Sequence, residues 1–404
     1  MCESKVMVIS ERYWPEGGGG ELATHSIINI LRKLCNVSVV TGSQNIARLP
    51  GVKYIYEPLL IKWKRPIIWF NTLMLTRKRD FEKLLSDNSI VYIPKAAYPI
   101  IPYAKKMGKT VIVHLHGYMP ISYTTNVLAP YEEHRYRIRQ DDIMLSCMRG
   151  IKSCIGANLL WWIPRVARKW IAQADKVICV SRRHAEIISD SAPELRDKIE
   201  IAPNPLPLEL INLMNKEFSK NLNEIPTFLY VGGDSYVKGF PLLLQILREL
   251  GKRGDKIRFI LTNSYGPRSL RTLKALNEKY RNLEIRVVGR VTYEEILSLY
   301  KQAWALVFPS LWEETFGYAV VEASLLSTIP VSSRVGGIIE ILNDTSASRF
   351  MFSLNNTAEA FEKCRTISSL SPREILALGR KLRGEMLKKF EPDVIEKKII
   401  NIFK

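Results

Sequence analysis

Short apolar runs alternate with longer amphipathic stretches along most of the chain. In the first half the runs are VMVIS (6–10), VSVVTG (37–42), KYIYE (53–57), SIVYIP (89–94), TVIVHLHG (110–117), KVICVS (176–181) and IEIAP (199–203). Their length and β-branched content are those of buried strands. Helical stretches such as ELATHSIINILRKL (21–34) lie between most of them. Strands that are apolar throughout, separated by helices, predict a parallel sheet covered on both faces. The rhythm pauses at NPLPLELINLMNKEFSKNLNEIP (204–226), which is rich in Pro and Asn and reads as a linker. It resumes with TFLYVGG (227–233), KIRFILTN (256–263), LEIRVVGR (283–290), WALVFPS (304–310) and IPVSSRV (329–335), and ends in helical sequence over 371–404. The expected fold class is therefore α/β, with two Rossmann-like, doubly wound parallel-sheet domains. Such sheets bind ligands at the carboxyl ends of their strands, so two of them facing each other would enclose a cleft.

Composition narrows the class without naming a chemistry. Apolar content of 47% and charged content of 25% are those of a globular protein, and no apolar run approaches the ~20 residues of a membrane span. The chain enters a strand almost at once with KVMVIS (5–10), which leaves no room for a signal peptide and gives a cytoplasmic expectation. The six cysteines are scattered without a CxxC pair, which argues against a zinc site or a disulfide framework and fits a reducing compartment. The net charge of +19 implies an anionic partner. No zinc-finger spacing or RNP-type strand motif supports nucleic acid, which leaves acidic lipid head groups and phosphorylated small molecules.

The stretch PSLWEETFGYAVVEASLL (309–326) carries two glutamates eight apart, Glu314 and Glu322, around Phe316 and Gly317. Glu314 falls in a strand-to-helix turn, and Glu322 falls inside the helix that follows. Backbone N–H groups at that helix start attract phosphate. Carboxylates beside a phosphate would repel it, unless they accept hydrogen bonds from neutral hydroxyls. A nucleotide sugar offers both kinds of group.

On these residues the chain resembles the retaining glycosyltransferases of family 4, whose two-Rossmann architecture is called GT-B. Glu314 and Glu322 match that family's E-x7-E signature, whereas Glu313 is out of register. The resemblance is strong over 227–342 and clear again at 6–42. It implies an acceptor-side domain over 1–205, a linker over 206–226, a nucleotide-sugar domain over 227–388 and a terminal helix over 389–404 that crosses back to the first domain. It implies that Glu322 holds the ribose hydroxyls and Glu314 the donor sugar, with Phe316 and Gly317 backbone on the diphosphate. In VGGDSYVKGF (231–240), Gly232 and Lys238 resemble the family's phosphate-binding loop, and Lys238 would neutralise the leaving diphosphate. The family usually has an arginine just after the first glycine of that loop. This chain has Gly233 and Asp234 there, with Arg290 and Arg334 as possible substitutes. In ERYWPEGGGGELATHSI (11–27), Gly18 and Gly19 match the glycines that touch the donor diphosphate or the acceptor. In VIVHLHGYMP (111–120), His116 resembles the active-site histidine, and His114 reads as a core residue on the same side of the strand.

No D-x-D motif stands out, so neither a metal nor another cofactor is expected. Two stretches mix basic and large apolar residues, RPIIWFNTLMLTRKR (65–79) and NLLWWIPRVARKW (158–170), which is the composition of an interfacial surface. The expected activity is transfer of a sugar from a nucleoside-diphosphate sugar to an acceptor, a glycan or lipid-linked precursor, with possible peripheral contact to an anionic membrane. Retention at the anomeric carbon follows from the resemblance alone. A nucleotide-sugar epimerase, or an inactive scaffold protein on the same fold, remain the alternatives.

Overall fold

The computed structural model describes residues 5–61, 66–214 and 219–404. Cys2, and Arg65 at the start of the first basic and apolar stretch, lie outside them. The chain divides into two compact units: Met1–Val127 with Arg135–Pro207 and Pro392–Lys404, and Leu128–His134 with Leu208–Glu391.

The first unit is built on a seven-stranded parallel sheet. Its strands are β1 (Lys5–Ser10), β2 (Asn36–Thr41), β3 (Lys53–Tyr56), β4 (Ile90–Ile93), β5 (Thr110–Leu115), β6 (Lys176–Cys179) and β7 (Ile199–Ile201), in the order β3-β2-β1-β4-β5-β6-β7. β4 is buried at every position and β1 and β5 at all but the first. Both faces of these strands are covered, which is why they read as unbroken apolar runs. The second unit holds β8 (Thr227–Tyr230), β9 (Ile257–Thr262), β10 (Leu283–Gly289), β11 (Ala305–Phe308), β12 (Ile329–Ser333) and β13 (Met351–Phe352), all parallel, in the order β10-β9-β8-β11-β12-β13. The two Rossmann-like sheets expected from the alternation are both present. The two-residue β13 was not anticipated, being too short to leave a pattern.

The terminal helix Pro392–Phe403 packs within the first unit. Lys33 pairs with Glu396 at 2.8 Å, Lys176 Nζ donates to the Ile402 carbonyl at 2.6 Å, and Phe403 meets the Tyr92 ring edge-on at 5.1 Å. The Pro- and Asn-rich segment after β7 contains a short helix, Leu208–Met214.

The cysteines correct one expectation. Cys147 and Cys154 form a disulfide. Gly150, at φ +122°, turns the chain between the helices Ile138–Met148 and Ile151–Leu159, and the two Cα atoms come within 4.1 Å. The pairing depends on that reversal, which a spacing of seven does not advertise. No helix among the described residues is long and apolar enough to cross a membrane.

Candidate functional site

In the second sheet the strand order reverses between β8 and β11, so a ligand crevice is expected beyond the carboxyl ends of those two strands. The loops that leave them are fastened together: Leu311 N–H donates to the Val237 carbonyl at 2.8 Å and Ser310 Oγ to the same carbonyl at 3.1 Å. The fastening brings Lys238 onto Glu314, with Nζ donating to Oε1 at 2.7 Å. That oxygen also accepts from Ser310 Oγ at 2.7 Å and Trp312 Nε1 at 2.6 Å. Three donors hold the buried carboxylate in one pose. The Lys238 side chain is 34% exposed, and its ammonium lies 5.1 Å from the Trp312 ring centre and 5.7 Å from that of Phe308. The result is an oriented positive charge with access to solvent. Gly232 lies against this lysine, so close that a Cβ there would come within 2.9 Å of Lys238 Cβ.

After Glu314 the chain turns through Phe316, buried against Tyr318 and Phe390, into Gly317. Gly317 has φ +99° and caps the helix Tyr318–Leu325, a backbone conformation that a side chain would strain. Glu322 sits inside that helix, buried, and Tyr293 Oη donates to its Oε1 at 2.9 Å. Burial pushes its carboxyl up to about pKa 7, and the Tyr293 hydrogen bond pulls the other way. Glu313, the glutamate out of register, is a tether. It accepts Tyr131 N–H at 2.7 Å on one oxygen and Gly336 N–H at 3.0 Å on the other.

Asp234, which stands where the resembling family has arginine, has a local task. It accepts from Gly266 N–H at 2.7 Å and Ser269 Oγ at 2.9 Å, which ties it to the start of the helix Pro267–Lys279. Arg290 lies beside it, with Nε donating to Ser264 Oγ at 3.0 Å, and the Ser264 carbonyl accepts Asp234 N–H at 3.4 Å. Arg334 has other surroundings. Its N–H goes to Phe352, and its charge acts on Glu359.

His116, Gly18 and Gly19 belong to the first unit, where the order reverses between β1 and β4. A cavity of about 300 Å³ opens there, walled by Glu11 after β1, Lys95 after β4, His114 and His116 on and after β5, and Glu21 of the helix Gly19–Leu31. Gly18 precedes that helix and Gly19 begins it. Glu21 fills its positive end, taking Gly18 N–H on Oε2 at 2.8 Å and Lys95 Nζ on Oε1 at 2.9 Å. Gly20 lies close against this wall: a Cβ there would come 2.7 Å from Lys95 Nζ and 3.2 Å from the His116 ring, so a side chain would displace the lysine. The His114 and His116 rings are 4.1 Å apart, as their shared side of the strand requires. His114 accepts or donates at Nδ1 with Tyr92 Oη at 2.7 Å. Burial holds all the histidines here neutral: His114 and His184 fall to about pKa 3, and His116 falls well below its usual range.

Sequence reasoning missed Glu11 and Lys95 of the first-unit cavity and Tyr293 beside Glu322. Glu11 and Lys95 come from different elements, so only topology gathers them. Only Tyr293 had a local sign: Thr292 and Glu295 form a capping box that marks a helix start just after β10.

Two family models match the chain. One is described as Glycosyltransferase Family 4, over residues 17–210, and the other as Glycosyl transferases group 1, over residues 214–375. One polypeptide of the human phosphatidylinositol N-acetylglucosaminyltransferase is 30% identical over 368 residues, covering 89% of this chain and 68% of the human protein. The gpi3 subunit of the same-named enzyme of Schizosaccharomyces pombe is 25% identical over 211 residues. That match covers 50% of this chain, and it spans less than half, 45%, of the yeast protein. Among solved structures, Anabaena Alr3699/HepE in complex with UDP-glucose superposes with a TM-score of 0.67 at 14% identity, covering 99% of each chain. At that identity the likeness concerns the fold alone.

Proposed function

The chain belongs to family 4 of the glycosyltransferases, on the two-Rossmann GT-B fold, and from that premise we propose that it moves a sugar, with retention, from a nucleoside-diphosphate sugar bound by the second unit to a glycan or lipid-linked acceptor bound by the first. The observation that carries this reading is the Lys238–Glu314 pair at the strand-order reversal of the second sheet. Lys238 balances the charge that develops on the departing diphosphate. The N–H groups at Phe316 and Gly317 add to it. Glu314 takes hydroxyls of the donor sugar, and Glu322 takes the ribose hydroxyls. Of the first-unit residues, His116 stands on the acceptor side and hydrogen-bonds near the reacting sugar as a neutral ring. Gly18 and Gly19 serve the acceptor rather than the diphosphate, because Glu21 already fills the anion seat of their helix.

With a lysine and helix starts available for the diphosphate, the donor binds without a divalent cation. Calorimetry in EDTA against UDP-N-acetylglucosamine, UDP-glucose and the GDP- and ADP-sugars tests both points. At least one donor is expected to bind, and added magnesium should change its affinity less than about threefold. Binding by none would overturn the donor reading. Binding only after magnesium or manganese is restored would overturn the metal-free one.

The acceptor's lipid character rests on a surface of the first unit. Trp69 packs edge-on against Trp170 at 4.8 Å, which brings the helices Ile67–Leu75 and Ile163–Ile171 together. Phe70 is 64% exposed, Trp161 37% and Trp162 38%, where ordinary domain helices would bury them. The guanidiniums of Arg139 and Arg165 lie 4.9 and 4.7 Å from the Trp161 ring centre. Exposed aromatics with cations beside Trp161 suit an anionic bilayer surface. Cations contribute about 1 kcal/mol each there and fade with salt, whereas apolar anchoring does not. The protein is expected to sediment with anionic liposomes at low salt, to weaken but persist as salt rises, and to lose the salt-resistant fraction in Trp161→Ala/Trp162→Ala. Wild-type protein left in the supernatant at low salt would make a soluble acceptor the better reading.

A further inference from the structure

We propose that Asp142 is a positioning residue for the reaction: from the helix Ile138–Met148 it fixes the loop that follows β5, and through that loop it sets the direction of the His116 ring. This rests on the transferase reading above, in which His116 stands beside the reacting sugar, and it adds a residue that touches neither substrate.

Asp142 is buried in the first unit, 5% exposed, and is absent from the cavity wall. Its Oδ1 accepts Ser122 Oγ at 2.7 Å, Thr124 N–H at 2.9 Å and Thr124 Oγ1 at 2.6 Å, and its Oδ2 accepts Tyr123 N–H at 2.8 Å. One carboxylate therefore takes two hydroxyls and two backbone N–H groups from three consecutive residues. Hydrogen bonds to an ionised acceptor are roughly twice as strong as neutral ones. Burial raises the Asp142 carboxyl above its usual range, and these same bonds pull it back toward the ionised form. Ser122 and Thr124 are buried as well, which shields the bonds from solvent. Asp142 lies 18 to 20 residues beyond its donors, so this is a tertiary clasp and not a local turn.

The loop carries that order back to the site. Thr124 is followed by Thr125, at φ +64°. A β-branched residue in the left-handed region is strained, and it persists only where its surroundings over-determine it. Asp142 supplies part of that constraint by holding Thr124 at both its N–H and its hydroxyl. The Thr125 carbonyl accepts Tyr118 N–H at 3.0 Å, and it lies so near Gly117 that a Cβ there would come within 3.0 Å of it. Gly117 is bonded directly to His116, and His116, Gly117, Met119 and Thr125 all belong to the cavity wall. Without the carboxylate, the buried donors of Ser122, Tyr123 and Thr124 lose their acceptor, and the loop must rearrange to satisfy them. Thr125 is then free to leave the left-handed region and to withdraw from Gly117. The consequence falls on rate, because displacing an aligned group by about 1 Å costs up to roughly 10²-fold. Donor affinity is spared, since Lys238, Glu314 and Glu322 belong to the second unit.

The test compares the full-length wild type with Asp142→Asn and Asp142→Ala, and uses Leu145→Ala as a control. Leu145 is buried on the same helix, and truncating it loosens the packing without touching the carboxylate. The readouts are kcat with saturating donor and acceptor, donor affinity by calorimetry, a melting curve, and the heteronuclear NMR spectrum of the histidine rings. The His116 signals in that spectrum are those lost in His116→Asn. Asp142→Asn keeps the shape but sets an amide donor against Tyr123 N–H, and it should lower kcat roughly tenfold. Asp142→Ala should lower it roughly a hundredfold. In both, donor affinity should stay as in wild type and the His116 ring signals should move, while those of His25 stay in place. Leu145→Ala should melt lower, yet below its melting temperature keep the wild-type kcat and His116 signals. A role confined to stability would lower the melting temperature of the Asp142 variants and leave the His116 signals unmoved, and that result would overturn the proposal. An equal loss of kcat in Leu145→Ala would overturn it too. If Asp142→Ala does not fold, Asp142→Asn decides, together with Thr124→Val, which removes one donor at nearly constant volume and should move the His116 signals less. Wild-type protein that turns over no acceptor would strike the transferase reading, and the His116 spectrum would still decide whether Asp142 sets the ring.

Discussion

Lys238→Ala is expected to lower kcat by about 10²–10³-fold, the usual scale for removing one preorganised group from a developing charge. The lysine is held before any donor arrives: Glu314 takes its ammonium at 2.7 Å and two aromatic rings flank it. Holding it in advance means that little reorganisation is needed when negative charge builds on the leaving diphosphate. The ground-state diphosphate is already charged, so donor affinity should suffer too, but less than turnover. The substitution should not unfold the second unit, because Glu314 keeps the hydrogen bonds from Ser310 and Trp312. Lys238→Arg retains the charge but not the compact head that fits between Trp312 and Glu314, so it should recover only part of the rate. Steady-state kinetics with a saturating donor, alongside a melting curve, measures this. An alanine variant that melts like wild type and turns over within about threefold of it would remove Lys238 from the reaction.

Glu322→Ala is expected to weaken nucleotide-sugar binding roughly 10- to 150-fold, since hydrogen bonds to a charged group contribute about 1.5–3 kcal/mol. The same residue makes donor affinity depend on pH. Its carboxyl titrates near pKa 7 because it is buried, so it is mostly protonated at about pH 6 and mostly ionised at about pH 8. Only the ionised form accepts from both ribose hydroxyls. Donor affinity should therefore rise with pH across that interval, by roughly tenfold for one proton. The diphosphate diester of a nucleotide sugar has no group titrating there, which makes it a better probe than free UDP. Tyr293→Phe removes the hydrogen bond that lowers the Glu322 pKa, so the rise should move to higher pH. In Glu322→Ala the profile should be flat. Calorimetry across pH on the three proteins decides it, and an alanine variant that binds like wild type would cancel the ribose assignment.

Much of the second-unit site was legible in the sequence because its residues lie close together along the chain. Glu314, Phe316, Gly317 and Glu322 share one strand–turn–helix segment, and an eight-residue spacing separates Glu314 from the tether Glu313. The missing arginine was visible as a gap, but its cause was not. Asp234 instead holds the Gly266 N–H and the Ser269 hydroxyl, some thirty residues on, at the start of the helix Pro267–Lys279. The two sheets were legible because strands buried on both faces cannot hide their apolar runs. The first-unit cavity was not, since Glu11 and Lys95 follow β1 and β4 and meet His116, after β5, only through the strand order. Glu11 in particular looks like any charged residue after a strand until its burial is known.

The most direct measurement is turnover of a donor found by calorimetry, with and without acceptor, following free nucleoside diphosphate and the fate of the sugar together. The relatives' names make a nucleotide-activated N-acetylglucosamine and phosphatidylinositol in vesicles the first pair to try, with other donors and glycolipids after them. Transfer predicts that nucleoside diphosphate is released in step with a glycosylated acceptor, that the new bond has the anomeric configuration of the donor, and that release without acceptor is slow. An isomerised nucleotide sugar formed at full rate without acceptor would contradict it in favour of an epimerase. A donor bound but never consumed with any acceptor would leave a scaffold.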